Sequence, residues 1–196
     1  MEYISKEDEQ EILESYEPKR RKHVKNVMDL AVSLAEQYNA DPRKAYVAAL
    51  FHDIAKEMEI KDMVALLESS GIFIEREYHN KNILHGPCAA VIACEYYGIC
   101  DEEILYAIYY HTFGRPEMTM LEKIVFIADA TEKGRKYRNV NKLRKLLVTD
   151  IDAAIELSLS GTVSYIISKE ETLFPDTVAA LEYFRAKKRD FQTEGF

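Results

Sequence analysis

Helix breakers are scarce in this chain: its 196 residues hold seven glycines and five prolines. A hairpin-rich β fold needs such residues at every turn, so their scarcity points to long helices. Those present punctuate helical patterns. Ser5 and Asp8 predict a first short cap and helix, stopped before Pro18. A second helix is expected from about Arg20 to Tyr38, with Val27, Leu30, Ala31 and Leu34 at helical spacing. Asp41 caps a third with Pro42 at its first position, and a fourth spans about Lys61 to Ser70 before Gly71. Residues 72–84 read as a loop. Gly86-Pro87 is expected to open a helix that Gly98 closes, and Asp101 to cap one that reaches His111 and stops before Gly114. Thr119 and Glu122 form a capping box for a helix ending near Gly134. A longer helix covers about Asp150 to Ser168, and Pro175 precedes the last. No stretch alternates like a strand. The expectation is an all-α bundle, one domain over residues 1–196.

Charge and composition narrow the partners. The net charge of −8 repels nucleic acid in general, so none is expected as partner. A polyanionic substrate would need local positive charge. Two basic clusters offer it: Lys19-Arg20-Arg21-Lys22 with Lys25, and residues 133–145 with Lys133, Arg135, Lys136, Arg138, Lys142, Arg144 and Lys145. A third run spans Arg185 to Arg189. Each could equally be a solvated helix face; the first two gain weight because they flank His23 and Asp129. No apolar run approaches the ~20 residues of a membrane span, and the acidic N-terminus lacks signal-peptide character. Cys88, Cys94 and Cys100 are odd in number and form no CxxC pair, as expected of reduced thiols in a cytoplasmic protein rather than a thiolate metal site.

The chemistry rests on histidines and aspartates. His23 shares a helix face with Val27, Leu30 and Leu34. The His52-Asp53 pair ends the apolar run Ala48-Ala49-Leu50-Phe51, and His85 stands just before an expected helix start. His111 shares a face with Ile104 and Ile108, and Asp129 follows Val125 by one turn and Leu121 by two. A lone histidine on an apolar face is usually a hydrogen-bonded core residue. A buried aspartate, by contrast, needs a cation or a metal. Inward-facing on successive helices, the six form a collective signal. Histidine and carboxylate suit iron, manganese, nickel or zinc, and bundle cores place such ligands around one point. Asp53 has two oxygens and could bridge two metals while its neighbour His52 binds one.

The order His23, His52-Asp53, His85, His111, Asp129 resembles the HD superfamily in its two-metal form. Arg20-Arg21-Lys22-His23, Phe51-His52-Asp53-Ile54-Ala55-Lys56, His85-Gly86, His111-Thr112-Phe113-Gly114, Met120-Leu121-Glu122-Lys123 and Ala128-Asp129 are similar to the YqeK-like subfamily of symmetrical diadenosine tetraphosphate hydrolases. The resemblance spans roughly residues 18–185. There is one departure: where that subfamily continues Ala-Asp with a stretch like Ile-Glu-Pro-x-Arg, this chain reads Thr131-Glu132-Lys133-Gly134-Arg135, so Glu132 and Arg135 match and Thr131 and Lys133 do not. His79 matches no ligand position and is read as a loop residue.

The resemblance implies two transition-metal ions, iron first among them with manganese as another choice. His23, His52, Asp53 and Asp129 would hold one; Asp53, His85 and His111 the other. It implies a bridging hydroxide as nucleophile and a dinucleoside polyphosphate cut symmetrically into two nucleoside diphosphates. Asp53 and Lys56 are the expected catalytic residues; Arg20, Lys56, Thr112, Lys123 and Arg135 are the expected substrate contacts. No Gly-x-Ser-x-Gly elbow and no phosphate-cradling glycine loop competes. Three other readings stay open: an HD phosphohydrolase acting on other nucleotides or cyclic nucleotides, a di-iron oxygenase, and an all-α binding module. The oligomeric state is open too, with a homodimer as the expectation to test.

Overall fold

The computed structural model describes residues 3–193, with side chains from 3 to 187. Met1 and Glu2, and the side chains of Lys188 and Arg189 in the third basic run, lie outside the described residues. The described residues form ten α-helices, one 3-10 turn and no strand: α1 (Lys6–Ser15), α2 (Pro18–Gln37), α3 (Pro42–Phe51), α4 (Ile60–Ser69), α5 (Lys81–Glu95), α6 (Glu102–Tyr109), α7 (Met120–Thr131), α8 (Val140–Leu146), α9 (Ile151–Ser168) and α10 (Pro175–Thr193), with the 3-10 turn at Arg76–Tyr78 before α5.

Side chains fix most helix starts. The Ser5 hydroxyl accepts from the Asp8 amide, the Asp41 carboxylate from the Arg43 amide and the Asp101 carboxylate from the Glu103 amide. Each supplies a partner to an amide that the first helical turn leaves unpaired. Thr119 and Glu122 form the full capping box of α7.

Some sequence expectations shift. The first helix does stop before Pro18, but the second starts at that proline rather than near Arg20, since a proline at the first position loses no helical hydrogen bond. The α5 helix starts at Lys81, not at Gly86-Pro87. Asn80 caps it, accepting from the amides of Asn82 and Ile83. Pro87 therefore lies inside the helix, and His85 is a helical residue rather than the one before a start. The α6 helix ends at Tyr109, with His111 in the following turn. The α7 helix ends at Thr131, short of Gly134. The α8 helix, within the second basic cluster, had no sequence counterpart; only Val140 and Leu143 of it are buried.

The helices pack in two layers. In one, α2 lies against α3 and α7, and α6 against α3, α5 and α7. In the other, α9 packs on α7, α8 and α10. Between them runs α7, whose residues 121–128 are buried without interruption. A helix covered on all sides must be apolar nearly all round, as Leu121, Ile124, Val125, Phe126, Ile127 and Ala128 are. No helix among the described residues is long and apolar enough to cross a membrane.

Candidate metal centre

Five segments converge at one end of α3. His23 comes from the first half of α2, and His52 and Asp53 follow the last residue of α3. His85 comes from α5 and His111 from the turn after α6, while Asp129 lies in the last turn of α7. All six expected ligands meet there, in two trios: His23, His52 and Asp129, and Asp53, His85 and His111.

The spacing within each trio is that of donors around an ion. Ligand atoms about 2.1 Å from a shared metal stand roughly 3.0–3.4 Å apart. Nε2 of His23 lies 2.9 Å from Oδ1 of Asp129 and 3.4 Å from Nε2 of His52. Nε2 of His85 lies 3.0 Å from Nε2 of His111 and 3.3 Å from Oδ1 of Asp53. Asp53 faces both trios: Oδ1 points to His85, while Oδ2 stands 3.7 Å from His23 and 3.6 Å from His52.

The imidazoles are set for ligation. Nδ1 of His52 donates to the Ala49 carbonyl, Nδ1 of His85 to that of Lys81 and Nδ1 of His111 to that of Ile108, each at 2.7 Å. With the proton on Nδ1, each Nε2 presents a lone pair to the cluster. Lone pairs of two imidazoles and a carboxylate facing one another at these distances need a cation among them. Burial lowers the pKa of His52 and, more strongly, of His111, favouring the neutral ring. Burial alone would raise the Asp53 and Asp129 carboxyls. It is outweighed at Asp53 by the histidines and at Asp129 by His23, His52 and Arg135, so both are held well below the usual carboxylate range. Neutral imidazole with ionised carboxylate is the metal-competent state. The residues fit divalent metal binding.

Close backbone approach builds the second trio. Gly86 follows His85 directly, and a Cβ there would lie 2.6 Å from the Tyr109 carbonyl oxygen. Only glycine lets α5 approach the end of α6 closely enough to bring the two histidines together.

Cations ring the cluster. Arg20 donates through Nη1 to Oδ2 of Asp53 at 2.6 Å. Arg135 pairs with the Asp129 carboxylate and donates through Nε to the Asp129 carbonyl at 2.8 Å. Lys56 lies within 3.4 Å of both ring nitrogens of His85 and 3.2 Å from Oδ1 of Asn82. Its burial lowers its pKa from the ordinary lysine value. Lys56 reaches this place through tight turns, with Lys56 N bonded to the Asp53 carbonyl, rather than by extending α3 past His52. Oγ1 of Thr112 is 3.3 Å from Nε2 of His85 and 3.2 Å from Nε2 of His111. A cavity of about 580 Å³ opens beside His23, lined by Lys19, Arg20, Lys22, Glu57 and Arg135 among others.

Lys123 corrects an expectation. It is not brought to the cluster: its Nζ pairs with Oδ1 of Asp152 on α9 at 2.6 Å and lies over the Phe184 ring of α10. It faces the second layer, where an internal carboxylate holds it. Arg144, from the second basic cluster, donates to the carbonyls of Thr131, Glu132 and Arg135 and so ties down the end of α7. His79 bonds the Ile74 carbonyl within its loop.

Glu132 is the residue whose place the sequence did not reveal. It is 3% exposed and lies 3.3 Å from Nδ1 of His23. Burial would raise its carboxyl, but hydrogen bonds from the Gly134 amide, Asn26 and His23 outweigh that and lower it. The sequence signal was its match to the subfamily stretch, which carried no role.

Residues 20–134 match the HD domain family. A symmetrical bis(5'-nucleosyl)-tetraphosphatase from Halalkalibacterium halodurans is 40% identical over 160 residues, 82% of this chain and 86% of that protein. One of the same name from Bacillus subtilis is 39% identical over 158 residues, 79% of this chain and 83% of its own. A crystal structure from Clostridium acetobutylicum, described as a predicted HD superfamily hydrolase involved in NAD metabolism, superposes with a TM-score of 0.90 at 37% identity. It covers 93% of this chain and 98% of its own.

Proposed function

Because the chain belongs to the HD domain family, we propose that it is a metal-dependent phosphohydrolase that cuts dinucleoside polyphosphates symmetrically, diadenosine tetraphosphate into two molecules of ADP. The observation that carries the reading is the division of Asp53, one oxygen toward each histidine-bearing trio. His23, His52, Asp53 and Asp129 would hold one ion, and Asp53, His85 and His111 the other. Nitrogen-rich donors disfavour calcium, and no cysteine joins either trio among the described residues, which disfavours structural zinc. We infer two first-row transition ions, with iron expected. Such ions would supply Lewis acidity and lower the pKa of water at the site.

The protein's own groups do the rest. A symmetric substrate has its scissile P–O bond at its centre, so binding should place the middle of the polyphosphate at the cluster. Oxygen from water forms the new bond to phosphorus, and the bridging P–O bond breaks to release the second nucleoside diphosphate. Lys56 is placed to stabilise charge gathering on the phosphoryl oxygens. Arg20 and Arg135, with Lys19 and Lys22 at the cavity, offset the repulsion between a polyanion and a chain of net charge −8. Thr112 is a candidate hydroxyl contact beside His85 and His111. The choice of adenine as the base rests on the resemblance to diadenosine tetraphosphate hydrolases alone. A cytoplasmic homodimer, with residues 1–196 as one domain, completes the reading; sedimentation of the pure protein tests the dimer.

The deciding experiment is turnover of diadenosine tetraphosphate by purified protein, with nucleotides separated and metals quantified. ADP as the product, lost on chelation, is expected. ATP with AMP, or undiminished turnover after chelation, would refute the reading.

A further inference from the structure

Three of the four cluster imidazoles take their Nδ1 acceptor from their own backbone three or four residues upstream. His23 does not. Its Nδ1 faces Oε1 of Glu132 at 3.3 Å, a residue 109 positions away. Every other polar neighbour of that carboxylate is a donor: Nδ2 of Asn26 donates to Oε2 at 2.7 Å, as does the Gly134 amide. The Glu132 carbonyl is itself gripped by Nη2 of Arg144 at 2.6 Å. The chain bends around the carboxylate, since a Cβ at Gly134 would lie 2.9 Å from Oε1 and 3.0 Å from Oε2.

An ionised carboxylate can only accept, so the ring proton facing it sits on Nδ1 and the lone pair of Nε2 faces Asp129 and Asp53. We propose that Glu132 is a positioning residue: through His23 it fixes the ring and raises its donor strength at the metal position made by His23, His52 and Asp129, and not at the other. The inference rests on the two-ion reading above. Asn26 and Gly134 hold the carboxylate in register, which explains a buried acid whose carboxylate bonds to no expected substrate contact.

The test is a manganese titration of metal-stripped wild type, Glu132→Ala and Glu132→Gln, with ¹⁵N spectra of the imidazoles in the zinc-loaded proteins. Wild type should take two ions and show a hydrogen-bonded Nδ1–H on His23. In Glu132→Ala one ion should bind roughly 10- to 100-fold more weakly while the other is unchanged, and the His23 Nδ1–H signal should be lost. Glu132→Gln keeps the side-chain shape if the alanine variant folds poorly, and it should weaken the same single ion to a smaller degree. Two ions held as tightly by both variants as by wild type would overturn the assignment of Glu132 alone, as would equal weakening of both. A wild type that takes no manganese would overturn the two-ion reading, and this inference with it.

Discussion

The two ligand trios are built differently. Asp53, His85 and His111 are all buried, and both of the trio's imidazoles are pinned by backbone carbonyls a few residues upstream. His23 and Asp129 of the other trio are partly exposed, His23 beside the cavity, and their partners Glu132 and Arg135 are charged side chains. The inner trio's imidazoles are thus set by their own backbone, while Arg20 holds its carboxylate. In the outer trio His52 is pinned by backbone in the same way, but His23 depends on the remote side chain of Glu132 and Asp129 on that of Arg135, and both can be adjusted by them. A substrate would approach from the outer side.

The largest expected effect falls on Asp53, whose two oxygens face different trios. Asp53→Ala should abolish turnover and empty both positions while circular dichroism stays helical; near-normal turnover in that variant would refute a shared ligand. Next comes Lys56→Ala. It should keep both ions and lose roughly a hundred- to a thousandfold in turnover, as when one charge-stabilising donor is removed. Unchanged turnover would remove Lys56 from the mechanism and leave the metals standing. A smaller change should strike the inner trio alone. The methyl group of Gly86→Ala would push α5 from the Tyr109 carbonyl, costing about 1–3 kcal/mol on chemical denaturation and weakening the ion between His85 and His111. If the outer ion is the one released, the distinction between the trios fails. The smallest effect is expected from Lys123→Met. Asp152 keeps Lys187 at 2.6 Å, so stability should fall by about 1–2 kcal/mol, with KM and metal content untouched. A raised KM would return Lys123 to the substrate contacts.

These contrasts also explain what the sequence could and could not tell. His23 and Asp129 were legible because each repeats the apolar period of its helix, His111 because it continues the Ile104–Ile108 spacing just past the end of α6, and His52-Asp53 because it ends an apolar run. The start of α5 was misplaced because Gly86-Pro87 resembles a helix opening; the true signal was Asn80, one residue before the helix. The α8 helix escaped because two buried apolar residues among lysines and arginines give almost no periodic pattern. Lys123 was misjudged because its partner Asp152 lies on another helix, and Glu132 was left without a role because its partner is 109 positions distant. Pairings between remote segments leave no local trace.

The match to the HD family stops at residue 134, but α7 has a second flank. There Lys123 finds Asp152 and Phe184, and α9 lies along the helix that carries Asp129. A fragment ending at the family boundary would bare the apolar side chains of that flank to water, so the recognisable module and the foldable unit differ. Grafting this site onto another scaffold, or fusing a new domain after residue 134, would have to bring along α8–α10 or replace both their apolar cover and the carboxylate that answers Lys123.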